Sequence, residues 1–403
     1  MEEYDYILLG GGISSLTFGR LLQQHTNKSF LILEKESEVG GLCRSKNIEG
    51  NHVDIGGGHF LYSKHQKVYD FVFEHVPESN FTKYDRITKI AIHDTFIDYP
   101  IENNIWQLSP DLQYKYLTSV IDALSIESDP TNFRLWILKN LGKEIADNYL
   151  MPYNNKVWGN TGDLMSVDWL YKIPNVDLKK IVRSIIYKES KGDYPSHEYY
   201  YYPKQGGFQI ITDSIYGKVK DHVVLNEAIT KLEYVIEKGH WVINNKFVSK
   251  IVINTVAWTA LRNTLTHPKI NNLKNNSIVV SLKEKDYNNN WHWCYMPDDK
   301  LPYHREFYIN NYCTNNANKC VAHETNVNRW VDDGKNLFSH NNEYAYPIPT
   351  IDYKKDIKEI LEYYEKLNMI GLGRWGTWEY HNSDVCIMKS MELFDKLEGD
   401  HKN

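Results

Sequence analysis

The stretch YILLGGGISSLTFGRLLQQHTNKSFLILE, residues 6–34, decides the fold. Its first four residues, Tyr6 to Leu9, are a compact apolar run of the kind that forms a strand buried on both faces. Three glycines follow, and Ile13, Leu16, Leu21 and Leu22 then recur at helical spacing, so the reading is strand, tight turn, helix. A second apolar run, Phe30 to Leu33, completes a βαβ unit, and Glu34 ends it. The pattern Gly10-x-Gly12-x-x-Ser15 departs from G-x-G-x-x-G only at its last position, where a small residue still lets helix and strand pack closely. Gly10 permits the turn and Gly12 lets the backbone approach a pyrophosphate at the positive end of the helix. Glu34 stands where a carboxylate accepts hydrogen bonds from a ribose. A dinucleotide-binding, Rossmann-type domain is the expectation.

Beyond this unit the chain breaks into parts. The run from Glu34 through Gly40, Gly41 and Ser45 adds a second glycine pair, and NHVDIGGGHF (51–60) holds Gly56 to Gly58 and His59. An acid, a second glycine pair and a later acid followed by glycines resemble flavoproteins of the glutathione-reductase and amine-oxidase type, which implies FAD as the dinucleotide. From Trp106 to about Tyr187 the pattern is helical, with helices expected around Leu112 to Leu124, Asn132 to Leu141 and Leu178 to Tyr187, and with the proline-containing LMPYNNKVWGN (150–160) as an interruption. SIVVSL, HWCYM and REFYINNY read as strands of a separate sheet. The expected fold class is α/β: a discontinuous Rossmann-type FAD-binding domain (1–85, 203–258 and 345–403), an inserted helical domain (105–195) and a separate antiparallel β-sheet domain (86–104 and 259–344). A mobile active-site loop is expected near Pro174 to Tyr194.

Composition narrows the partners. With Lys+Arg 46 against Asp+Glu 52 the formal net charge is −6, a field that repels a polyanion, so nucleic acid is not an expected partner. Arginine is scarce beside lysine, which makes the position of each guanidinium informative. The cysteines Cys43, Cys294, Cys313, Cys320 and Cys386 have no metal-ligand spacing, so no metal is expected and a reducing, cytoplasmic setting fits. No stretch approaches the roughly 18 to 20 apolar residues of a membrane span.

Further along, DIGGGHF, DYPIENNI, YNNKVWG, YYPKQGGFQ, HREFYINNY, AYPIPT and GLGRWGTWEYHNSDVCIMKSMEL together resemble the UDP-galactopyranose mutase family. That resemblance implies FAD contacts at Gly10, Gly12, Ser15, Glu34, Gly41, Gly57, Gly58, His59, Gly373 and Asp384. It implies substrate contacts at Tyr153, Trp158, Lys172, His197, Tyr295, Arg305, Tyr346, Arg374 and Tyr380, with Arg305, Arg374 and His59 closest to the chemistry. Lys172 and His197 are departures, standing where fungal relatives carry an arginine and an asparagine. Arg86, Thr88 and Tyr99 resemble the group that contacts NADPH in eukaryotic relatives, although Glu102 places a carboxylate nearby.

The family interconverts UDP-galactopyranose and UDP-galactofuranose without net redox change. The resemblance therefore implies an isomerase whose FAD is active when reduced, flavin N5 attacking the anomeric carbon as UDP leaves. Two guanidiniums would clamp the departing pyrophosphate, tyrosine hydroxyls would donate to its oxygens, and His59 would favour the anionic reduced flavin. The partners implied are a UDP-sugar and NADPH as reductant, with a monomer or small homo-oligomer and no membrane. Two alternatives share the fold: an FAD-dependent amine-oxidase or protoporphyrinogen-oxidase-like oxidoreductase, and a flavin-free escort protein for prenylated GTPases. The former gives no reason for paired arginines, and the latter needs no glycine loop at 56–58.

Overall fold

Tyr6 to Leu9 lie at the centre of the first sheet, and their apolar continuity has a direct structural reason. In the computed structural model, which describes residues 1–127, 129–159, 162–170, 177–190 and 198–399, β1 (Glu2–Leu9) pairs in parallel with β2 (Phe30–Leu33) on one side and with Phe247–Asn254 on the other. Tyr6 and Leu8 pack into one core layer with Leu16, Phe208 and Ile387, while Ile7 and Leu9 enter the opposite layer with Trp258, Ile357 and Trp378. Both faces of the strand are dry, so both sets of alternating side chains must be apolar. The sheet order is Leu232–Val235, His240–Ile243, Phe247–Asn254, β1, β2, Val223–Val224, and Met369–Gly371 also pairs with Phe247–Asn254. α1 (Ile13–His25) covers one face beside the helices Gln209–Val219 and Ser383–Glu398.

The second sheet runs Phe338–Pro347, Asn275–Glu284, Cys320–Asn326, Arg305–Tyr308, Trp293–Tyr295, Thr88–Ile92, Thr95–Asp98. Its neighbours are antiparallel except for one parallel pairing, Trp293–Tyr295 with Thr88–Ile92. The Thr88–Asp98 hairpin arrives from a distant part of the chain, so no tight turn dictates its direction.

The helices Pro110–Ala123, Phe133–Ile145, Met151–Trp158 and Leu178–Tyr187 share a core that includes Tyr116, Phe133, Ile137 and Trp158. The expected interruption at 150–160 is instead helical: Met151–Trp158 follows directly on the π-helical turn Ala146–Leu150, and Pro152 falls just past that irregularity. Of the loop expected near Pro174 to Tyr194, residues 177–190 are described and hold the helix Leu178–Tyr187; Lys172 and His197 lie outside the described residues. All five cysteines are buried and unpaired. Among the described residues no helix is long and apolar enough to cross a membrane, and no cluster of three or more His, Cys, Asp or Glu could hold a metal.

Trp258 joins the first sheet to the turn that carries Arg374. It is fully buried, its indole stacks on Tyr364 (5.3 Å between centroids), and its Nε1–H donates to the Gly376 carbonyl at 2.9 Å. Trp258→Ala is expected to lower the free energy of unfolding by about 3–5 kcal/mol through lost burial and a cavity. Trp258→Phe keeps most of the packing but orphans the carbonyl, costing about 1–3 kcal/mol. Urea unfolding of the two variants beside the parent chain checks both values.

Candidate active site

The glycine turn after β1 opens into a cavity of about 600 Å³ that runs from Glu34 at one end to His59 and Arg374 at the other. Glu34 is buried at the end of β2, and its two oxygens accept the backbone N–H groups of Gly11 (2.6 Å) and Glu36 (2.9 Å). Each carboxylate oxygen keeps a lone pair for a ribose hydroxyl. A side chain on Gly12 would meet nothing within 4 Å, so the backbone here faces open cavity. Gly10, Gly12, Ser14, Gly41, Ser383 and Cys386 line the same space. Ser15 does not: it is fully buried with Oγ 2.9 Å from Thr255 Oγ1, and serves to dock α1 on the end of the neighbouring strand. Asp384 is buried in the first turn of Ser383–Glu398 and is not among the lining residues; Gly373 lies against Ser14.

At the His59 end the second sheet brings charge to the cavity. Arg305 and Tyr295 are register partners on adjacent strands, and Arg305 also faces Glu324 on the next strand. Glu324 Oε2 accepts from Arg305 Nε (2.6 Å) and from His304 Nε2 (3.2 Å), while Oε1 accepts the backbone N–H of Gly58 (3.0 Å). Gly57 has φ +97, and a Cβ there would lie 2.5 Å from Glu324 Oε1, so the loop's approach to the carboxylate requires glycine.

The tyrosines gather around the two arginines. Arg305 Nη2 donates to Tyr346 Oη at 3.3 Å. The Arg374 guanidinium lies 5.1 Å from the Tyr346 ring centroid and 5.3 Å from that of Tyr380, and these two rings meet edge to face at 4.9 Å. Trp158 packs 5.7 Å from Tyr346, and Tyr153 lies 5.2 Å from Tyr295 and 5.8 Å from His304. Arg374 is held by two carbonyl oxygens, Nε to His381 (2.9 Å) and Nη1 to Ala345 (3.1 Å), and among the described residues no carboxylate forms an ion pair with it. Arg86 forms an adjoining group: Nε donates to Thr88 Oγ1 (2.9 Å), Nη2 to Tyr295 Oη (3.2 Å), and the guanidinium stacks 4.5 Å over Tyr99.

Comparison with known proteins gives the same overall picture. Residues 9–74 match the family model of the NAD(P)-binding Rossmann-like domain. The UDP-galactopyranose mutase of Mycoplasma genitalium is 22% identical over 412 residues, spanning 98% of this chain and 95% of that protein. That of Mycoplasma pneumoniae is 28% identical over a shorter stretch of 169 residues, 39% of this chain and 41% of the relative. A crystal structure of reduced UDP-galactopyranose mutase superposes with a TM-score of 0.89 at 22% identity, covering 99% of this chain and 95% of the other. Over nearly its whole length the chain is similar to a UDP-galactopyranose mutase. Cyclohexylamine oxidase from Brevibacterium oxydans shares the general fold more distantly, with a TM-score of 0.66 at 11% identity over 98% of this chain and 99% of that one.

Within this mutase-like frame the electrostatics separate the residues by role. Burial, reinforced by Arg374, pulls the His59 pKa down to about 4, so its imidazole is neutral at pH 7. Its Nδ1 lies 2.8 Å from the Gly57 carbonyl and therefore carries the proton, leaving Nε2 as an acceptor. A neutral His59 acts through hydrogen bonding alone, and Arg374 is a cation that lines the same cavity. Burial raises the phenol pKa values of Tyr153 and Tyr380, so both are hydrogen-bond donors across the physiological range. Burial alone would raise the Glu324 pKa, but Arg305 and the His304 hydrogen bond bring it down to about 2.

Glu324 is a buried carboxylate at the site that sequence reasoning missed, and Asp54, read there only as the acid before the glycines, braces the same loop. Asp54 accepts from Ser45 Oγ (2.6 Å), Tyr202 Oη (3.0 Å) and Phe208 N (3.1 Å), anchoring the other side of the 55–59 loop. A signal existed for Glu324: in the strand CVAHETN it occupies the same face as Ala322 and Asn326, where a lone acid implies a buried cation opposite. Glu324→Gln leaves Arg305 without its counter-charge and is expected to cost about 3–5 kcal/mol of stability at pH 7. Because the folded pKa lies below the ordinary carboxylate value, this contribution is complete above about pH 4.5 and is lost as pH falls toward about 2. The gap between parent and variant in chemical denaturation is expected to narrow over that window.

Proposed function

We propose that this chain is a flavin-dependent mutase that interconverts UDP-galactopyranose and UDP-galactofuranose. The observation that carries this reading is that Arg374 belongs to two sites at once: it lines the dinucleotide cavity and stacks on the tyrosine pair beside Arg305. An arginine that has no carboxylate ion pair among the described residues at that junction suits a pyrophosphate held directly against a bound cofactor. FAD fits the cavity, because the open backbone at Gly12, the Glu34 carboxylate and the second glycine pair are the donor and acceptor set of its pyrophosphate and ribose. The chemistry that a bound, reduced flavin supplies is a nitrogen nucleophile for the anomeric carbon, with UDP as the leaving group.

The chain's own residues then have separable tasks. Arg305 and Arg374 bind the two phosphates and stabilise the charge that grows as UDP departs. Tyr346 and Tyr380 donate to the same oxygens without adding charge, and Tyr295 holds the Arg305 side of the clamp. Tyr153 offers a ring face to uracil, and Trp158 closes the sugar side. His59, neutral, presents an acceptor to the cofactor. Arg86, Thr88 and Tyr99 supply the contacts for NADPH as the reductant in this reading. An amine-oxidase-like reaction shares the general fold but needs an apolar substrate tunnel, whereas the two arginines and their tyrosines make this wall polar.

Anaerobic chromatography of UDP-galactofuranose incubated with the protein tests the proposal. Conversion is expected with dithionite-reduced flavin and none with oxidised flavin; absence of conversion by protein with bound, reduced flavin overturns it. Arg374→Ala is expected to lower turnover by about 10²–10³-fold while the flavin absorbance of the purified protein is retained. Loss of the oxidised-flavin band on anaerobic addition of NADPH, slowed in Arg86→Ala, checks the reductant.

A further inference from the structure

Lys156 is fully buried, an unusual fate for a lysine, and among the described residues no carboxylate forms an ion pair with it. Its ammonium donates to three backbone carbonyls, those of Met296 (2.8 Å), Tyr303 (3.2 Å) and Asp298. All three belong to the turn between Trp293–Tyr295 and Arg305–Tyr308, whose neck is the Tyr295–Arg305 register pair and whose first rung is Met296 N to His304 O (2.9 Å). Lys156 itself sits in the helix Met151–Trp158, three residues after Tyr153 and two before Trp158. The carbonyl of the next residue, Val157, accepts from Asn276 (2.8 Å) and Asn326 (3.0 Å), so this helix end is tied to the second sheet at two adjacent residues.

We propose that Lys156 is a positioning residue: its ammonium clamps the 296–304 turn to the helix Met151–Trp158 and thereby sets Tyr153 and Trp158 against Tyr295 and Arg305. The consequence for UDP binding rests on the mutase reading above. The chemistry is stoichiometric. An ammonium has three donors and three carbonyls receive them; a neutral amine has two donors and a lone pair that repels the third oxygen. Burial, with Arg329 pushing the same way, lowers the Lys156 pKa to about 8, and Asp298 and Asp299 oppose the shift only in part. Of the other charged groups facing it, Arg329 is paired with Asp299 (2.7 Å), Arg305 is held by Glu324, and His304, pushed down by burial, is neutral. The clamp is therefore charged at neutral pH and loses its proton above about pH 8.

Hydrogen exchange followed by mass spectrometry on the full chain reads the turn directly. Peptides covering residues 293–307 are compared in the parent, Lys156→Met and Lys156→Arg from about pH 6 to about pH 10, corrected for intrinsic exchange. The parent is expected to lose protection several-fold through the pH at which the amine deprotonates. Lys156→Met is expected to be poorly protected and flat throughout, and Lys156→Arg to stay protected beyond that point. Parent-like protection in Lys156→Met, or a parent that is flat across the range, overturns the proposal; should Lys156→Met not fold, the parent and Lys156→Arg profiles decide it. Calorimetry with UDP is run in parallel, and its affinity is expected to follow the same pattern. A parent that binds no UDP at any pH overturns the mutase reading, while the exchange data still decide the role of Lys156.

Discussion

One buried carboxylate ties together the parts on which this structure depends. Glu324 takes the N–H of Gly58 with one oxygen and Arg305 and His304 with the other, so the loop at the end of the dinucleotide cavity and the cation beside it are fixed by the same group. The interaction is secure because neither partner is free to leave: removing the carboxylate strands a half-buried guanidinium, and removing the guanidinium strands a buried carboxylate. The glycines at 57 and 58 are the backbone side of this arrangement. A Cβ at the first would meet Glu324, and one at the second would lie 2.3 Å from the Phe307 ring.

Charge around the cavity is divided accordingly. Arg305 is neutralised by Glu324 and acts as a fixed donor, whereas Arg374 leans on carbonyl dipoles, which leave its net charge uncompensated. Asp54 and Glu324 brace the 55–59 loop from opposite sides, but their energetics differ. Asp54, without a cation, is pushed up to about 6 by burial despite its hydrogen bonds; Glu324, with one, is brought down to about 2. The first carboxylate is a structural acceptor whose ionisation burial opposes, and the second is an electrostatic partner.

Much of the fold was legible because its signals are local. The βαβ unit could be read from a four-residue apolar run, a glycine turn and helical spacing, and the observed strands and helix follow that order. The helix at 151–158 was misread because a proline was taken as a break, although here the helical backbone continues through it just past a π-helical turn. At the site, Arg305, Arg374, Tyr346 and Tyr380 were named from separate blocks of sequence and meet in space. Ser15 shows what a motif position leaves open: it does not say which way a small side chain turns, and here it turns to Thr255, in keeping with the close helix–strand packing expected of it. Glu324 and Lys156 were passed over because nothing local distinguishes a buried charged side chain from an exposed one.

The sequence by itself determined the order of strands and helices at the N-terminus, the glycines at close backbone approaches and the positions of the scarce arginines. These are properties of short segments, set by hydrophobic periodicity and by which residues tolerate positive φ. Only the tertiary structure decided which charges pair. Gly58 and Glu324 are 266 positions apart, Lys156 and the Met296 carbonyl 140. Desolvation depends on everything packed around a group, so the identity of a buried charge's partner, and with it the pKa and role of that charge, exists only once the sheets and helices have closed around it.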